Sequence, residues 1–183
     1  MKPIKALLLA SLFASVAAGA APLKTDAAAS RVSAVFKQMN VPVEAPFRTF
    51  TAQIDYDAAK PAASKASVEI VTASFDIGDA MYNKEVAKKE WFNSAQFPKA
   101  SFVSTSIAAA GPGKLTVSGQ LTMKGKSANV SFPLTVTAQG NKHVFEGQLP
   151  IKRLAFNIGD GEWKDTSMVA DEVVIKFRVT AGQ

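Results

Sequence analysis

Hydrophobic and polar residues alternate along much of the chain, most clearly on both sides of Lys124-Gly125-Lys126. Apolar or small residues occupy every second position over 115–123, before this break, and over 130–136, after it. A period of two places alternate side chains on the same face of a β-strand. Together with the glycine at the break, the pattern predicts an antiparallel hairpin with one buried and one exposed face.

Six further stretches have a comparable strand pattern. Residues 21–29 are small and polar, and we expect a poorly ordered lead-in there. Two prolines predict that Met39–Pro46 is a bulge or an irregular edge segment. Eight strands without a domain boundary indicate one all-β domain, and the pattern is equally compatible with a barrel and a sandwich. The six further strands are expected at about residues 31–37, 47–56, 66–75, 100–107, 143–151 and 171–179.

One segment, between the third and fourth strands, has a helical pattern instead. Asp79 is suited to cap a first helical turn. After it, Met81, Val86 and the pair Trp91-Phe92 are spaced so that they could form an apolar stripe. The sequence therefore predicts one short helix within residues 80–92, of three turns at most.

The first twenty residues have the features of a secretory signal peptide. A short basic segment, Met1–Lys5, precedes an apolar run over 6–18, and the small residues Ala18-Gly19-Ala20 follow. This run is shorter than the roughly 18 to 20 residues that span a bilayer. We expect cleavage after Ala20 and export to an extracytoplasmic space, with residues 21–183 as the mature domain.

Composition excludes several classes of function. The sequence has no cysteine, so disulfides and thiol chemistry are excluded. Its formal charge of +6 falls to +4 without Lys2 and Lys5, and the remaining lysines are scattered. Nucleic-acid binding requires a basic stripe or an aromatic platform, and the sequence shows neither. A mild basic excess is compatible with transient contact with an anionic membrane surface.

Catalytic and metal-binding motifs are poorly supported. His143 is the only histidine and lies beside a predicted turn, where we expect an exposed side chain. No nucleophile-elbow motif accompanies it. Asp160, Glu162 and Asp165 could approach a hard cation, but their spacing does not match a calcium loop, and we expect a solvated loop. We therefore expect neither an enzyme nor a cofactor or metal site.

Three stretches give the chain a family resemblance. The first is Ser74-Phe-Asp-Ile-Gly78 followed by Glu90-Trp-Phe-Asn93, and the second is Phe97-Pro98 followed by Ser101-Phe-Val-Ser-Thr105. The third is Gly119-x-Leu-Thr-Met-x-Gly125, with Val130 after it. In this order they resemble the YceI-like family of bacterial periplasmic proteins, over nearly the whole mature chain.

The resemblance implies an eight-stranded, antiparallel, lipocalin-like barrel whose tunnel holds an isoprenoid chain, such as a polyprenyl lipid or a quinone. Two departures from the family pattern concern the head-group end of the tunnel. Lys37-Gln38-Met39 stands where many members have His followed by Met or Leu. Lys152-Arg153 with Phe156-x-x-Gly159 follows the family's Arg-x-x-Phe-Gly pattern only in part.

The inward-facing apolar residues are the candidate binding residues. In a generic β domain they would fill a dry core. Small residues on the same faces, namely Ala34, Ala52, Gly119 and Gly147, would leave room along the barrel axis. With the resemblance they favour a cavity. The predicted ligand-binding residues are Phe36, Phe50, Ile54, Val68, Ile70, Phe102, Leu121, Phe132, Leu134, Val136, Phe145, Arg153, Phe156 and Phe177.

Arg153 has a different role in this set. It lies in an irregular segment after the seventh strand, with Lys152, Asn157 and Trp163. If that segment borders the mouth, its guanidinium would bind a phosphate or quinone oxygen. The alternative is an exposed residue in a solvated loop.

Three hypotheses for function follow. The first is a periplasmic protein that binds, transports or sequesters an amphipathic isoprenoid lipid, without catalysis and with a homodimer as a possible assembly. The second is an envelope interaction module in which the barrel is only a scaffold. The third is an enzyme acting on a lipid head group, which would use His143 or Asp160. The first agrees best with the resemblance.

Overall fold

The strands form one antiparallel sheet that closes on itself. A computed structural model describes residues 22–183, and the predicted signal peptide lies outside the described residues. The one α-helix there is α1 (Ala80–Val86). The nine strands are β1 (Pro22–Gln38), β2 (Val41–Phe47), β3 (Phe50–Asp55), β4 (Lys65–Val71), β5 (Lys99–Gly111), β6 (Lys114–Met123), β7 (Lys126–Gln139), β8 (Lys142–Lys152) and β9 (Val169–Gly182).

The first and last strands close the barrel. β3 to β9 follow one another in spatial order, and β9 pairs with β1. The other edge of β1 pairs with β3 at Pro22 and Leu23 and with β2 over Val32–Gln38. β2 and β3 therefore share one position beside β1, which gives a closed antiparallel barrel of eight strands. This confirms the predicted barrel and excludes the sandwich.

The central hairpin has the predicted geometry. β6 and β7 pair in continuous register from Leu115 opposite Leu134 to Met123 opposite Lys126. Lys124 and Gly125 form the turn with φ of 47° and 73°. Positive φ at both central residues matches the right-handed twist of a two-residue hairpin. Buried residues alternate along β6, so one face of this hairpin points into the barrel.

The predicted lead-in at residues 21–29 is wrong, because β1 begins at Pro22. Lys24, Thr25 and Asp26 pair with the last residues of β9. A bulge follows, in which Ser30 Oγ donates to Asp26 O and accepts from Thr180 N. The backbone at the start of β1 pairs because the barrel closes here, and the local composition does not reveal this pairing. Long-range strand pairing therefore outweighs the low strand propensity of these small and polar residues.

The predicted irregularity of Met39–Pro46 is also wrong, although β2 does lie at the edge of the strand order, beside β1 alone. Met39 and Asn40 form a tight turn with φ of 47° and 62°, and β2 then pairs regularly with β1. Pro46 O accepts from Asp76 N, so the backbone polar groups of Pro46 point away from β1. Pro42 lies four residues earlier on the same side. Both prolines thus occupy positions that donate nothing to the ladder.

The predicted helix is confirmed only over its first two turns. Asp79 Oδ1 accepts from the N–H of Met81 and Tyr82, which confirms the predicted cap. α1 ends at Val86, and a series of turns continues to Phe97. Trp91 and Phe92 are buried in the core within these turns and do not belong to the helix. No helix in residues 22–183 is long and apolar enough to cross a bilayer.

The two ends of the barrel are built differently. At one end lie the β1–β2 turn, the β6–β7 turn, α1 with its flanking turns over 72–98, and the β8–β9 connection over 153–168. We refer to this end as the α1 end. At the opposite end lie the β3–β4 connection over 56–64 and the two-residue turns at 112–113 and 140–141. The core lies between the two ends, on the inner faces of the strands.

Candidate functional site

The barrel encloses an elongated apolar cavity of about 230 Å³. All nine strands contribute side chains to its wall. Along β9 the wall runs from Val169 at the α1 end to Val179 near the opposite end. At about 3.3 Å per residue and a strand tilt of about 40°, this corresponds to roughly 25 Å along the barrel axis. The cavity is therefore long and narrow.

Eleven of the fourteen predicted binding residues lie in the cavity wall. Most belong to the inner face of a strand, as the alternation requires. The structure thus brings them together around one cavity. They are Phe36, Ile54, Val68, Ile70, Phe102, Leu121, Phe132, Leu134, Phe145, Arg153 and Phe177.

Phe50, Val136 and Phe156 do not line the cavity. Phe50 and Val136 are half-buried and pack against the core; Phe50 is the first residue of β3, and Val136 lies three residues before the end of β7. Phe156 is buried in the 3₁₀ turn Arg153–Phe156. The correct face is therefore not sufficient, because Ile70 and Phe145, which pair with Phe50 and Val136 on the neighbouring strands, line the cavity while Phe50 and Val136 do not.

Gly119 and Gly147 do not leave room for a ligand as predicted. A Cβ on Gly119 would lie 2.4 Å from Val103 O and 2.6 Å from the Phe102 ring. A Cβ on Gly147 would lie 2.4 Å from the ring of Phe177. These glycines accommodate aromatic rings of neighbouring strands, while Ala34 lines the cavity as expected.

Aromatic rings form much of the wall. Phe132 contacts Phe102 and Phe177, with ring centroids 5.4 and 5.5 Å apart. Nearer the α1 end, Phe75 packs on Phe47 at 5.3 Å. Close, tilted ring pairs of this kind add to the stability that area burial provides. The wall is thus held by ring contacts as well as by the sheet.

The prediction missed several wall residues, chiefly Phe47, Phe75, Trp91 and Phe92. Phe47 follows the alternation of β2, whereas β3 begins its own alternation at Phe50. A single alternation through 47–56 therefore places Phe47 on the outer face. The break at residues 48–49 shifts the period, and no pattern in the sequence marks it.

Arg153 holds the α1 end together. It is 1% exposed, and each of its five N–H groups has a backbone carbonyl acceptor. Burial lowers the pKa of its guanidinium, although Asp171 and Asp160 oppose this shift. The predicted role as a head-group donor is wrong, because no N–H remains for a ligand. The acceptors are Ala170 O (3.1 Å), Ile158 O (2.9 Å), Gly159 O (3.1 Å), Trp163 O (2.6 Å) and Val169 O (2.8 Å).

A second network joins the two connections at this end. The carbonyl of Glu90 accepts from Gly159 N and Asp160 N, both at 2.8 Å. Lys124 Nζ also donates to Glu90 O and to Asn157 O. The Lys124 side chain is 8% exposed, and burial lowers its pKa. One lysine of the central hairpin therefore ties both connections to the barrel.

Asn157 explains the partial match to the Arg-x-x-Phe-Gly pattern. It directly follows Phe156 and has φ of 56°, a left-handed conformation that glycine adopts most readily and asparagine tolerates. Its side-chain oxygen accepts from Lys126 Nζ at 2.9 Å. Asn157 therefore adopts the left-handed conformation that glycine would adopt at this position, and it adds a hydrogen bond with Lys126.

α1 covers part of the cavity without being buried itself. Tyr82, Glu85 and Val86 line the cavity, but no residue of α1 is buried, and Met81 is 78% exposed. Asp76 fixes the turn before the helix: it accepts from Asn83 Nδ2, Gly78 N and Arg48 Nε. These bonds, that from Asn83 above all, lower the pKa of Asp76 to about 2.

At the opposite end, Tyr56 lines the cavity and stacks edge-on against His143 at 5.2 Å. Burial raises the pKa of the Tyr56 hydroxyl. His143 is half-buried, which corrects the prediction of an exposed turn residue. Its Nδ1 is buried and has no hydrogen-bond partner within residues 22–183. The histidine therefore packs in an aromatic cluster that also contains Phe145.

The predicted alternative of a cation at Asp160, Glu162 and Asp165 does not fit the structure. Asp160 lies near two lysines, Lys124 at 3.6 Å and Lys164 at 3.9 Å. Asp165 instead accepts from Ser167 N. In the described part of the chain, no three His, Asp or Glu side chains come together as a metal site would require. Asp160 and Asp165 therefore interact with lysine and backbone groups of the protein and not with a metal ion.

Known proteins resemble this chain along nearly the whole barrel. A UPF0312 protein of Shewanella baltica is 35% identical over 150 residues, which are 80% of this chain and 75% of that protein. A UPF0312 protein of Shewanella oneidensis is 36% identical over 148 residues, 79% of this chain and 74% of that protein.

Solved structures share the fold. Burkholderia cenocepacia BcnA is 55% identical, with a TM-score of 0.85 over 86% of this chain and 99% of that one. A polyisoprenoid-binding domain from Saccharophagus degradans is 17% identical, with a TM-score of 0.69 over 89% of this chain and 98% of that one, a likeness of fold. The family model described as YceI-like domain matches residues 23–181. The chain therefore belongs to the YceI-like family.

Proposed function

We propose that this protein binds an amphipathic isoprenoid lipid, of the polyprenyl or quinone type, in the barrel cavity. The observation that carries this proposal is a long apolar cavity of about 230 Å³ along the barrel axis. Dry apolar cavities of roughly 150 Å³ already bind small hydrocarbons. Each methylene group moved from water into such a wall contributes about 0.8 kcal/mol. A slender apolar chain can therefore bind without any charged contact.

The length of the cavity favours a prenyl chain over an ordinary acyl chain. One leaflet of a bilayer is about 15 Å of hydrocarbon, half of the usual core thickness. The cavity extends for roughly 25 Å by the strand geometry given above. A chain longer than a membrane acyl tail would fill it. Binding of a polyisoprenoid by the S. degradans domain, which has the same fold, agrees with this proposal.

The proposed activity is binding without turnover. The strongest polar groups at the α1 end, Arg153 and Lys124, are engaged by backbone carbonyls. His143 packs against aromatic rings and does not line the cavity. Groups so engaged hold the structure and are poorly placed for proton transfer. We therefore favour a carrier or sequestering protein over a head-group enzyme.

The proposed site of action is the periplasm, with transient contact at a membrane surface. Exposed apolar side chains at the α1 end include Met39, Val41, Met81, Tyr82 and Met168. Met39 N donates to Met168 O, so these two methionines lie side by side. Tyr82 also lines the cavity. A lipid could thus pass from a bilayer to the cavity beside apolar side chains.

Two measurements test location and membrane contact. Sequencing of the N-terminus of protein released by osmotic shock should give Ala21 as the first residue. Co-sedimentation with vesicles of phosphatidylethanolamine and phosphatidylglycerol should fall when Met81 and Met168 are both replaced by Ser. Replacement of the exposed Ala27 and Ala108 by Ser is the control and should leave sedimentation unchanged.

Lipid extraction tests the central proposal. Protein purified from its native host should release an isoprenoid detectable by mass spectrometry of a solvent extract. Ala34→Phe fills the cavity wall and should reduce the amount released, while Ala108→Phe on the outer face of β5 should not. Protein that carries no lipid and takes up neither polyprenol nor quinone would refute lipid binding. Cross-linking to one stoichiometric partner would then favour the interaction module.

A further inference from the structure

Three phenylalanine rings form a continuous row in the cavity wall. They belong to Phe102 on β5, Phe132 on β7 and Phe177 on β9, and all three line the cavity. The ring centroids of Phe102 and Phe132 are 5.4 Å apart, and those of Phe132 and Phe177 are 5.5 Å apart. Phe132 lies near the middle of β7. These three rings, which we call the phenylalanine row, therefore line the middle part of the cavity from β5 to β9.

Each ring contact in the row passes over an intervening strand. β6 lies between β5 and β7, and β8 lies between β7 and β9. Because neighbouring strands are about 4.8 Å apart, alternate strands are roughly 10 Å apart. The rings of the row therefore lean toward one another above β6 and β8. The residues beneath them on these strands are glycines, Gly119 on β6 and Gly147 on β8.

The two glycines let the rings lie against the sheet. A Cβ on Gly119 would lie 2.6 Å from the Phe102 ring, and a Cβ on Gly147 would lie 2.4 Å from Cζ of Phe177. Atoms do not approach this closely, so a ring above an added Cβ would have to move. The sheet lies behind the ring, so the free direction is toward the barrel axis. Glycine at these positions therefore keeps the rings out of the centre of the cavity.

The residues that flank the row are smaller. Val68 pairs with Phe102 and Val32 pairs with Phe177, and both valines line the cavity. Ala52 pairs in turn with Val68. Following the register from the row toward β1 and β3 therefore leads to aliphatic side chains. The three rings are the bulkiest groups along this line, and their position determines how wide the cavity is there.

We propose that the phenylalanine row, seated on Gly119 and Gly147, sets the width of the cavity and restricts the ligand to a single slender chain. This inference rests on the proposed function and narrows the class of ligand. A volume of about 230 Å³ over a length of roughly 25 Å leaves room for about one hydrocarbon chain in cross-section. Lipids with a fused-ring body or with two chains are wider than this passage. Because packed interiors resist deformation, such lipids cannot widen it.

Two alcohols of different width test this assignment: geranylgeraniol, which has one prenyl chain, and cholesterol, which has a fused-ring body. Both carry one hydroxyl group, so the comparison is one of shape. Calorimetric titration from cyclodextrin should show that the wild-type protein binds geranylgeraniol at least about 10-fold more tightly than cholesterol, because the packed wall opposes the wider ligand. Equal affinities for the two alcohols would overturn the proposal.

Removal of a ring from the row should admit the wider ligand. Phe102→Ala and Phe177→Ala should each bind cholesterol at least about 10-fold more tightly than the wild-type protein does, because each opens space in the wall. The matched control is Phe50→Ala, which removes a half-buried ring that packs against the core and does not line the cavity. Its preference for geranylgeraniol should persist. Continued exclusion of cholesterol from both row variants, with geranylgeraniol still bound, would overturn the proposal.

A methyl group added beneath a ring should have the reverse effect. Gly147→Ala pushes against the free end of the Phe177 ring and should weaken geranylgeraniol binding by at least about 10-fold. When Gly147→Ala is combined with Phe177→Ala, no ring remains to be displaced, and geranylgeraniol should bind as it does to Phe177→Ala. Absence of this recovery would contradict the proposal. The control is Gly140→Ala, a turn substitution whose Cβ meets no atom within 4 Å, and it should leave the affinity unchanged.

A crystal structure of Gly147→Ala provides a readout that needs no ligand. The Phe177 ring should lie closer to the barrel axis than in the wild-type protein, and the cavity should be narrower at the row. A ring that moves elsewhere, or a shift of β8 that leaves the cavity unchanged, would overturn the proposal. If Gly147→Ala does not fold, the cholesterol affinities of Phe102→Ala and Phe177→Ala decide the proposal. Failure of geranylgeraniol to bind any of these proteins would instead refute the proposed function.

Discussion

The two ends of the barrel reach closure by different means. At the opposite end, short turns such as Gly140-Asn141 connect neighbouring strands, and local sequence specifies them. At the α1 end, two long connections fold over the barrel and are held by Arg153, Lys124 and the carbonyl of Glu90. The first end can form hairpin by hairpin. The second end requires contacts between distant parts of the chain.

The largest expected effect is at Arg153. Arg153→Leu would leave five backbone carbonyls without their donor, and we expect the free energy of unfolding to fall by more than about 3 kcal/mol. Denaturant unfolding measures this loss. Arg31→Leu, at an exposed arginine of β1, is the control and should change stability by less than about 0.5 kcal/mol. A loss below about 1 kcal/mol in Arg153→Leu would show that its network does not hold the α1 end.

The next largest loss of stability is expected when a turn glycine is replaced by alanine, and this loss should differ between the two ends of the barrel. Gly140 has φ of 61°, and a Cβ added there would meet no other atom within 4 Å. Gly140→Ala should therefore cost about 1 to 2 kcal/mol from backbone strain alone. At Gly125, φ is 73° and a Cβ would also lie 2.9 Å from the Phe97 ring. Gly125→Ala should cost roughly 1 kcal/mol more than Gly140→Ala. Equal losses in thermal unfolding would contradict the tighter packing of the α1 end.

A smaller loss of stability is expected when Lys124 is replaced, and a still smaller loss when Lys142 is replaced. Lys124→Met removes a buried ammonium that binds two backbone carbonyls, and we expect a loss of about 1 to 3 kcal/mol. Lys142→Met breaks the more exposed pair with Asp26 at the opposite end and should cost less than about 1 kcal/mol. Chemical denaturation of both variants checks the order. The reverse order would mean that Lys124 contributes little to holding the two connections.

The smallest expected effect is a local loss of structure in the turn before α1 at low pH. The pKa of Asp76 is lowered to about 2, so its anchoring of the turn before α1 is complete above the ordinary carboxyl pKa near 4. This contribution is lost as pH falls from about 4 to about 2, because protonation then favours the unanchored state. The protection factors of the amides of residues 77–83, which correct for the pH dependence of intrinsic exchange, should fall in that interval. Asp76→Asn should already exchange faster at pH 6, and an unchanged exchange rate would contradict the anchor.

The alternation of apolar residues was sufficient to predict the strands and part of the cavity lining. Each of the eight predicted strands overlaps an observed strand, and the inner face was assigned correctly for residues such as Phe132 and Leu134. A period of two is a strong signal wherever one face of a strand is buried. The barrel itself, as opposed to a sandwich, depended on the family resemblance.

The remaining features depend on contacts that no local pattern encodes. β1 extends to Pro22 because β9 pairs with it, and β2 is regular because its prolines face away from β1. Arg153 reads as a loop residue in the sequence, yet its five carbonyl acceptors come from the connection over 153–168 and the start of β9. Gly119 and Gly147 suggested empty space, whereas rings from other strands occupy it. In each of these cases, contacts with residues from other parts of the sequence determine the structure.

The seam between β1 and β9 has a consequence for biogenesis. Lys24 pairs with Gly182, and Phe36 pairs with Val173, so the ring is completed only when the last strand meets the first. Pairing over so great a sequence separation is intrinsically slow. A chain emerging from the ribosome cannot close this ring until β9 is available to pair with β1. Late completion of the ring would also postpone closure of the cavity, and with it the binding of any ligand, until both strands have been made.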